Sequence, residues 1–326
     1  MSAIEWTDAT WNPQVGCSRI SAGCDNCYAI RMANRFNHAH YDGLVEAMDW
    51  TGKINRAPRH IVEKPLRTRK PTVFFVNSMS DMFHEDMDDA WIAENFEIMN
   101  SSPRHVFQVL TKRPSRAVKK TQELGLVWGD HIWAGVSIEA DQFAKSRARE
   151  IMKVPAKVRF VSAEPLLSAL PSLPVADLDW IIAGGESGVG KTVRAPDPKW
   201  FRDLRDRCRA AGVPFFFKQW GSFDESGARA SKKANGHLLD GEEIFEMPAS
   251  AYDQMPRPDP RWKRVAATAK VRPSERYEVS SAPFRVGSQA FEDETDAFLA
   301  VMAGDGELLA DNPNFMPRLV SKRENV

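Results

Sequence analysis

Three of the chain's four cysteines, Cys17, Cys24 and Cys27, stand in one short stretch at a C-x6-C-x2-C spacing. Three thiolates so spaced close a loop around one metal centre and leave one coordination position without a protein ligand, which is where chemistry takes place. Structural zinc normally takes four protein ligands, and the remaining cysteine, Cys208, is far away in a helical pattern. The thiolate chemistry therefore favours an iron-sulfur cluster over zinc, and zinc over unligated or redox cysteines. A disulfide staple would suit a small secreted protein, but the start MSAIEWTD does not read as a signal peptide.

Further chemistry-bearing residues follow short apolar runs. They are Asn77-Ser78-Met79-Ser80-Asp81, Thr111-Lys112-Arg113, Ser137-Ile138-Glu139, Ser162-Ala163-Glu164-Pro165, Gly184-Gly185-Glu186-Ser187 and Lys218-Gln219-Trp220-Gly221. Polar residues end strands anyway, but their recurrence after every run points to one shared site. Residues 185 to 192 also satisfy the phosphate-loop pattern G-x-x-x-x-G-K-T. A working loop of that kind needs Lys191 and Thr192 to open a helix, and Pro196 and Pro198 fall where its second turn would be. A P-loop NTPase is accordingly disfavoured. In the alternative reading Gly184 and Gly185 let the backbone approach a ligand while Glu186 receives its ammonium group.

The elements that must position these residues are legible in the apolar runs 72 to 77, 105 to 110, 131 to 138, 158 to 162, 179 to 183 and 213 to 217. Near-continuous apolar strands of this kind suit a parallel sheet covered on both faces. The intervening segments read as helices: residues 88 to 99 have Asp88 or Asp89 as N-cap and Pro103 as a stop, and residues 198 to 211 run from Pro198 to Gly212 with Cys208 facing the core. Six strands plus one implied near the cysteines predict an α/β fold, a partial TIM-like (β/α) barrel with parallel strands over residues 1 to 221. Residues 222 to 326 read as a linker, a short hairpin around Asp240-Gly241 and an irregular C-terminal extension with one amphipathic helix at 291 to 303 and a frayed end.

Thr10-Trp11-Asn12-Pro13, Gly16-Cys17, Gly23-Cys24, Cys27-Tyr28-Ala29, Leu110 to Pro114, Gly135 to Glu139, Ser162 to Leu166, Gly184 to Gly188 and Lys218 to Gly221, with Leu239-Asp240-Gly241 and Glu246-Met247-Pro248, occur in order across residues 4 to 248. As a set they resemble a phage-associated three-cysteine-motif family of uncharacterised function. That family in turn looks like the radical SAM superfamily, whose partial barrels hold a 4Fe-4S cluster on three cysteines with S-adenosylmethionine as the fourth ligand. The usual spacing there is C-x3-C-x2-C with an aromatic before the last cysteine, whereas here the first gap is six and Tyr28 follows.

The resemblance implies Cys17, Cys24 and Cys27 as cluster ligands, with Ser78 and Asp81 standing in at the early strand. It also implies Ser137 and Glu139 on ribose hydroxyls, Glu164 or Glu186 on an ammonium group, and Lys112 or Lys218 on a carboxylate or substrate anion. A nucleotide or DNA base is the expected substrate class, and a non-catalytic metal-bound nucleic-acid adaptor of phage or mobile-element origin is the alternative.

Composition frames these readings. Lys plus Arg and Asp plus Glu are balanced at 44 each, and 43% apolar content is ordinary for a globular chain of 326 residues. No run approaches the roughly 18 consecutive apolar residues of a spanning helix, so no membrane association and a cytoplasmic location are expected. Two basic blocks, Lys53 to Lys70 and Lys112 to Lys120, are candidate contacts to a nucleic-acid backbone, although a charge run is more often a solvated face. A protein partner encoded nearby is a further candidate.

Overall fold

Seven short strands carry the architecture: β1 Ala9–Trp11, β2 Val73–Val76, β3 Val106–Thr111, β4 Ile132–Ser137, β5 Arg159–Ala163, β6 Trp180–Gly184 and β7 Phe215–Gln219. The computed structural model describes residues 4–36, 38–188, 190–249, 261–265, 284–286 and 289–291. Neighbouring strands pair in sequence order, every pair is parallel, and β1 and β7 form the two edges of a sheet that curls into a half-barrel. The six apolar runs read from the sequence each hold one strand. The seventh, β1, lies just before the cysteines.

Both faces of the sheet are apolar, as parallel pairing requires. On one face Phe74, Phe107, Val136, Ile181 and Phe217 join residues from the covering helices in a continuous core. These helices are α2 Asp89–Asn100, α3 Pro114–Glu123, α4 Asp141–Ile151 and α5 Pro198–Ala211, while the short α1 Tyr28–Ala33 packs Ala29 and Ala33 with Val15, Leu44 and Met79 in a separate cluster. The capping signals act as expected. The Asp88 side chain accepts from the Ala90 amide, Asp197 accepts from Lys199, and Gly212 ends α5 in the left-handed conformation at φ 63°. Between β5 and β6 there is only the 3-10 turn Val175–Asp177, because Pro165, Pro171 and Pro174 leave no room for an uninterrupted helix.

The inner face is filled at one end by Trp6, Phe75, Trp133, Phe160, Trp180 and Phe216. Gly135 on β4 is essential to that packing, since a Cβ there would lie 2.2 Å from the Phe160 ring. Phe245, Met247 and Trp262 belong to the same cluster. Residues beyond 221 thus complete the inner core, and the first compact unit runs from Met1 to Ala269. Within that unit Leu238–Leu239 pairs with Glu242–Glu243 around Asp240 and Gly241, the expected hairpin, and Glu246–Pro248 pairs in parallel with Lys263–Val265. The second unit, Lys270–Val326, contains the antiparallel pair Phe284–Val286 and Gln289–Phe291. The helix expected at 291 to 303 and the frayed end lie outside the described residues, save Phe291, which is in a strand.

Candidate functional site

At the C-terminal ends of the strands the inner face opens into a cavity of about 680 Å³. Cys17, Cys24 and Cys27 line it, as do Ser78, Asp81 and Lys112. Ser137, Glu164, Gly185, Glu186 and Lys218 line it from the later strands. The expected gathering of strand ends on one mouth is thus what the topology produces. Glu139 and Gly184 stand just behind the wall: Glu139 is 0% exposed, and a Cβ on Gly184 would lie 2.7 Å from Glu164 Oε1.

The cysteine loop is held by backbone geometry. Gly16 sits at φ 105° with its Cα so close to the Lys53 carbonyl that a Cβ would be 2.1 Å from that oxygen, and its amide donates to the Met79 carbonyl. Cys24 ends the 3-10 turn Ala22–Cys24, and Cys27 caps α1. All three thiols are unpaired and partly exposed. Burial, followed by the charge of Asp81, pushes the Cys17 thiol up to about 12 against the pull of Arg113. Burial likewise pushes Cys27 up, opposed by the amides of Ala29 and Ile30 and more weakly by Lys112.

No group of three or more His, Cys, Asp or Glu side chains able to hold a metal ion is present among the described residues. Metal ligation requires deprotonated thiols. The donor chemistry nevertheless fits a thiolate-held centre. The three thiols share one cavity wall, and two cations, Arg113 and Lys112, act electrostatically on Cys17 and Cys27. Lys112 Nζ is buried 3.6 Å from Glu139 Oε2 with no hydrogen-bond partner, and a Cβ on Gly23 would sit 2.7 Å from it.

Three carboxylates assigned from sequence to a cofactor have partners within the protein. Asp81 accepts from the Phe83 and Lys112 amides, the Thr111 hydroxyl and Arg113 Nη1, which fills its acceptor positions and fixes the turn after β3. Glu139 accepts from Arg147 Nη1 at 2.9 Å and faces Lys112; Lys112 first, then Ser21 and Arg147, outweigh burial and hold its carboxyl below the ordinary value. Glu139 thus faces Lys112 from behind the cavity wall. Glu186 is taken by Arg194 and Asn26. Glu164 lines the cavity, paired with the cavity-lining Lys218 at 2.9 Å and accepting from Ser162.

Arg147, Arg194 and Asn26 escaped the sequence reading. Their signal was indirect, since each buried carboxylate demands a cationic or amide partner. Arg113 also donates to Ser18 Oγ at 2.8 Å and to Glu85, which ties the residue beside Cys17 to the end of β3. The phosphate-loop pattern is not followed by its helix: residues 185 to 188 and 190 to 197 are irregular and α5 begins at Pro198. Both basic blocks are partly paired with carboxylates. Arg56 and Arg59 pair with Glu94, Arg59 and Arg67 with Glu63, and Lys119 and Lys120 with Glu123. Among the described residues no helix is long and apolar enough to cross a membrane.

Fold and site together define an α/β half-barrel protein with a cysteine-lined cavity at the C-terminal ends of its strands. The chain belongs to DUF5131, a family of proteins of unknown function, whose model matches residues 1–248. No curated protein matches the chain.

Proposed function

We propose that this protein is an iron-sulfur, S-adenosylmethionine-dependent radical enzyme whose substrate, a nucleotide or DNA base, enters the inner-face cavity. The observation that carries the reading is the opening of three free cysteines onto a strand-end cavity beside Lys112, a buried ammonium with no hydrogen-bond partner. Cys17, Cys24 and Cys27 would hold a 4Fe-4S cluster, which together with S-adenosylmethionine supplies one-electron chemistry.

The chain's own residues then have distinct tasks. Lys112 offers three N–H donors to a carboxylate, and the paired Glu164 and Lys218 offer complementary charges to an ammonium group and an anion. Ser137 and Ser78 present hydroxyls at the wall, and Gly185 brings backbone close to a ligand, its Cα packed against the Trp220 carbonyl. Trp6 and Phe75 line the apolar floor that excludes water.

The test is anaerobic reconstitution of the full chain with iron and sulfide, followed by reduction with S-adenosylmethionine present. Iron and sulfide in four-to-four proportion, as a 4Fe-4S cluster requires, and release of 5′-deoxyadenosine are expected, and Cys17→Ala, Cys24→Ala and Cys27→Ala should each abolish both. A colourless protein holding one zinc would instead favour the non-catalytic adaptor.

A further inference from the structure

The glycine-bearing segment after β6 is bonded to the cysteine loop rather than shaped around phosphate. Arg194 donates from its backbone amide and Nε to Glu186 Oε2 at 2.8 and 3.0 Å, and from Nη2 to Oε1. The same guanidinium reaches the Ala22 carbonyl at 2.9 Å and Asp25 at 3.2 Å. From the other side Asn26 Nδ2 donates to Glu186 Oε2 and to the Thr192 carbonyl, both at 3.1 Å, while Thr192 Oγ1 donates to Asn26 Oδ1 at 2.8 Å. Ala22, Asp25 and Asn26 flank Cys24 and Cys27, so the bonds bracket two of the three thiols.

The backbone around those thiols cannot hold itself. Cys24 ends a three-residue 3-10 turn and Cys27 precedes a six-residue helix, both too short to be stable alone. Glu186 is only 4% exposed, so its charge requires partners, and Arg194 and Asn26 supply them. Cys17 is anchored separately, through Ser18 to Arg113 at the end of β3. The triad is thus fixed from two different strand ends.

We infer that Glu186, Arg194 and Asn26 are positioning residues, a strap that sets Cys24 and Cys27 in place before metal arrives. The inference rests on the metal-binding reading of the cysteines. Its test is titration of the metal-free full chain with cobalt(II), read by thiolate-to-cobalt charge transfer, beside hydrogen exchange of residues 22 to 31 without metal. Glu186→Gln and Asn26→Ala should weaken cobalt affinity by about tenfold or more, the scale expected when a supporting partner of a ligand is lost. Both should speed exchange across the loop. Asn26→Ala leaves the Glu186–Arg194 pair intact and should keep the thermal midpoint, which separates positioning from general unfolding. Lys191→Ala, in the same segment but outside the strap, should change neither readout. Unaltered exchange and affinity in both Glu186→Gln and Asn26→Ala would overturn the strap. Faster loop exchange in a chain that takes up no cobalt would uphold the strap and sink the metal reading instead.

Discussion

Glu139 shows how a single buried carboxylate organises the site from behind. Its charge survives full burial because Arg147 donates to it at 2.9 Å and Lys112 lies 3.6 Å away, and Lys112 in turn points its ammonium at the cysteine loop. Glu139→Gln should cost about 3–5 kcal/mol, the scale for breaking a buried pair by removing one partner. Urea unfolding at neutral pH measures it. The sign of the pH dependence follows from the depressed carboxyl. Its stabilising contribution is complete above the ordinary value of 4.5 and is lost as pH falls through the lower folded value, so the Gln variant should show a shallower acid slope than the unchanged chain. An equal slope in both would place the acid sensitivity elsewhere.

At the scale of elements, the inner face depends on a size match between adjacent strands. Gly135 on β4 pairs with Phe160 on β5, and the absent side chain is the space the ring occupies. Gly135→Ala should destabilise by about 1–3 kcal/mol through overpacking, and adding Phe160→Leu should recover part of the loss. A double-mutant cycle on thermal unfolding gives the coupling; additive effects would mean the two residues do not share that space. The strands and α5 were legible because apolar runs, Pro198 and Gly212 are local signals. The short edge strand β1 and the missing helix before β6 were less so, since the former is three residues long and the latter is an absence dictated by prolines. Most of the cavity-lining residues were legible as strand-end polar groups, but their bonding partners were not. Which carboxylate faces the cavity depends on partners such as Asn26 and Glu186, 160 positions apart, and no spacing rule encodes that contact.

For the whole molecule, the family match and the folded unit end at different places. The match stops at residue 248, yet the first compact unit continues to Ala269. The difference has a physical cause: Trp262 is 4% exposed in the inner-face cluster, its Nε1 donates to the Glu5 carbonyl at 3.1 Å, and Lys263–Val265 extends the strand Glu246–Pro248. A chain ending at residue 248 would leave Phe245 and Met247 without that cover and strip a paired strand of its partner. Losing one buried tryptophan alone is worth about 3–5 kcal/mol, a large share of the roughly 5–15 kcal/mol that holds a domain together. Residues 1 to 269 should therefore unfold cooperatively at the midpoint of the full chain, whereas residues 1 to 248 should melt well below it or fail to fold. Circular dichroism melts of the three lengths decide the matter. Equal midpoints for 248 and 269 would show that the inner core closes without Trp262, and a lowered midpoint for 269 would move the boundary of the folding unit further along the chain.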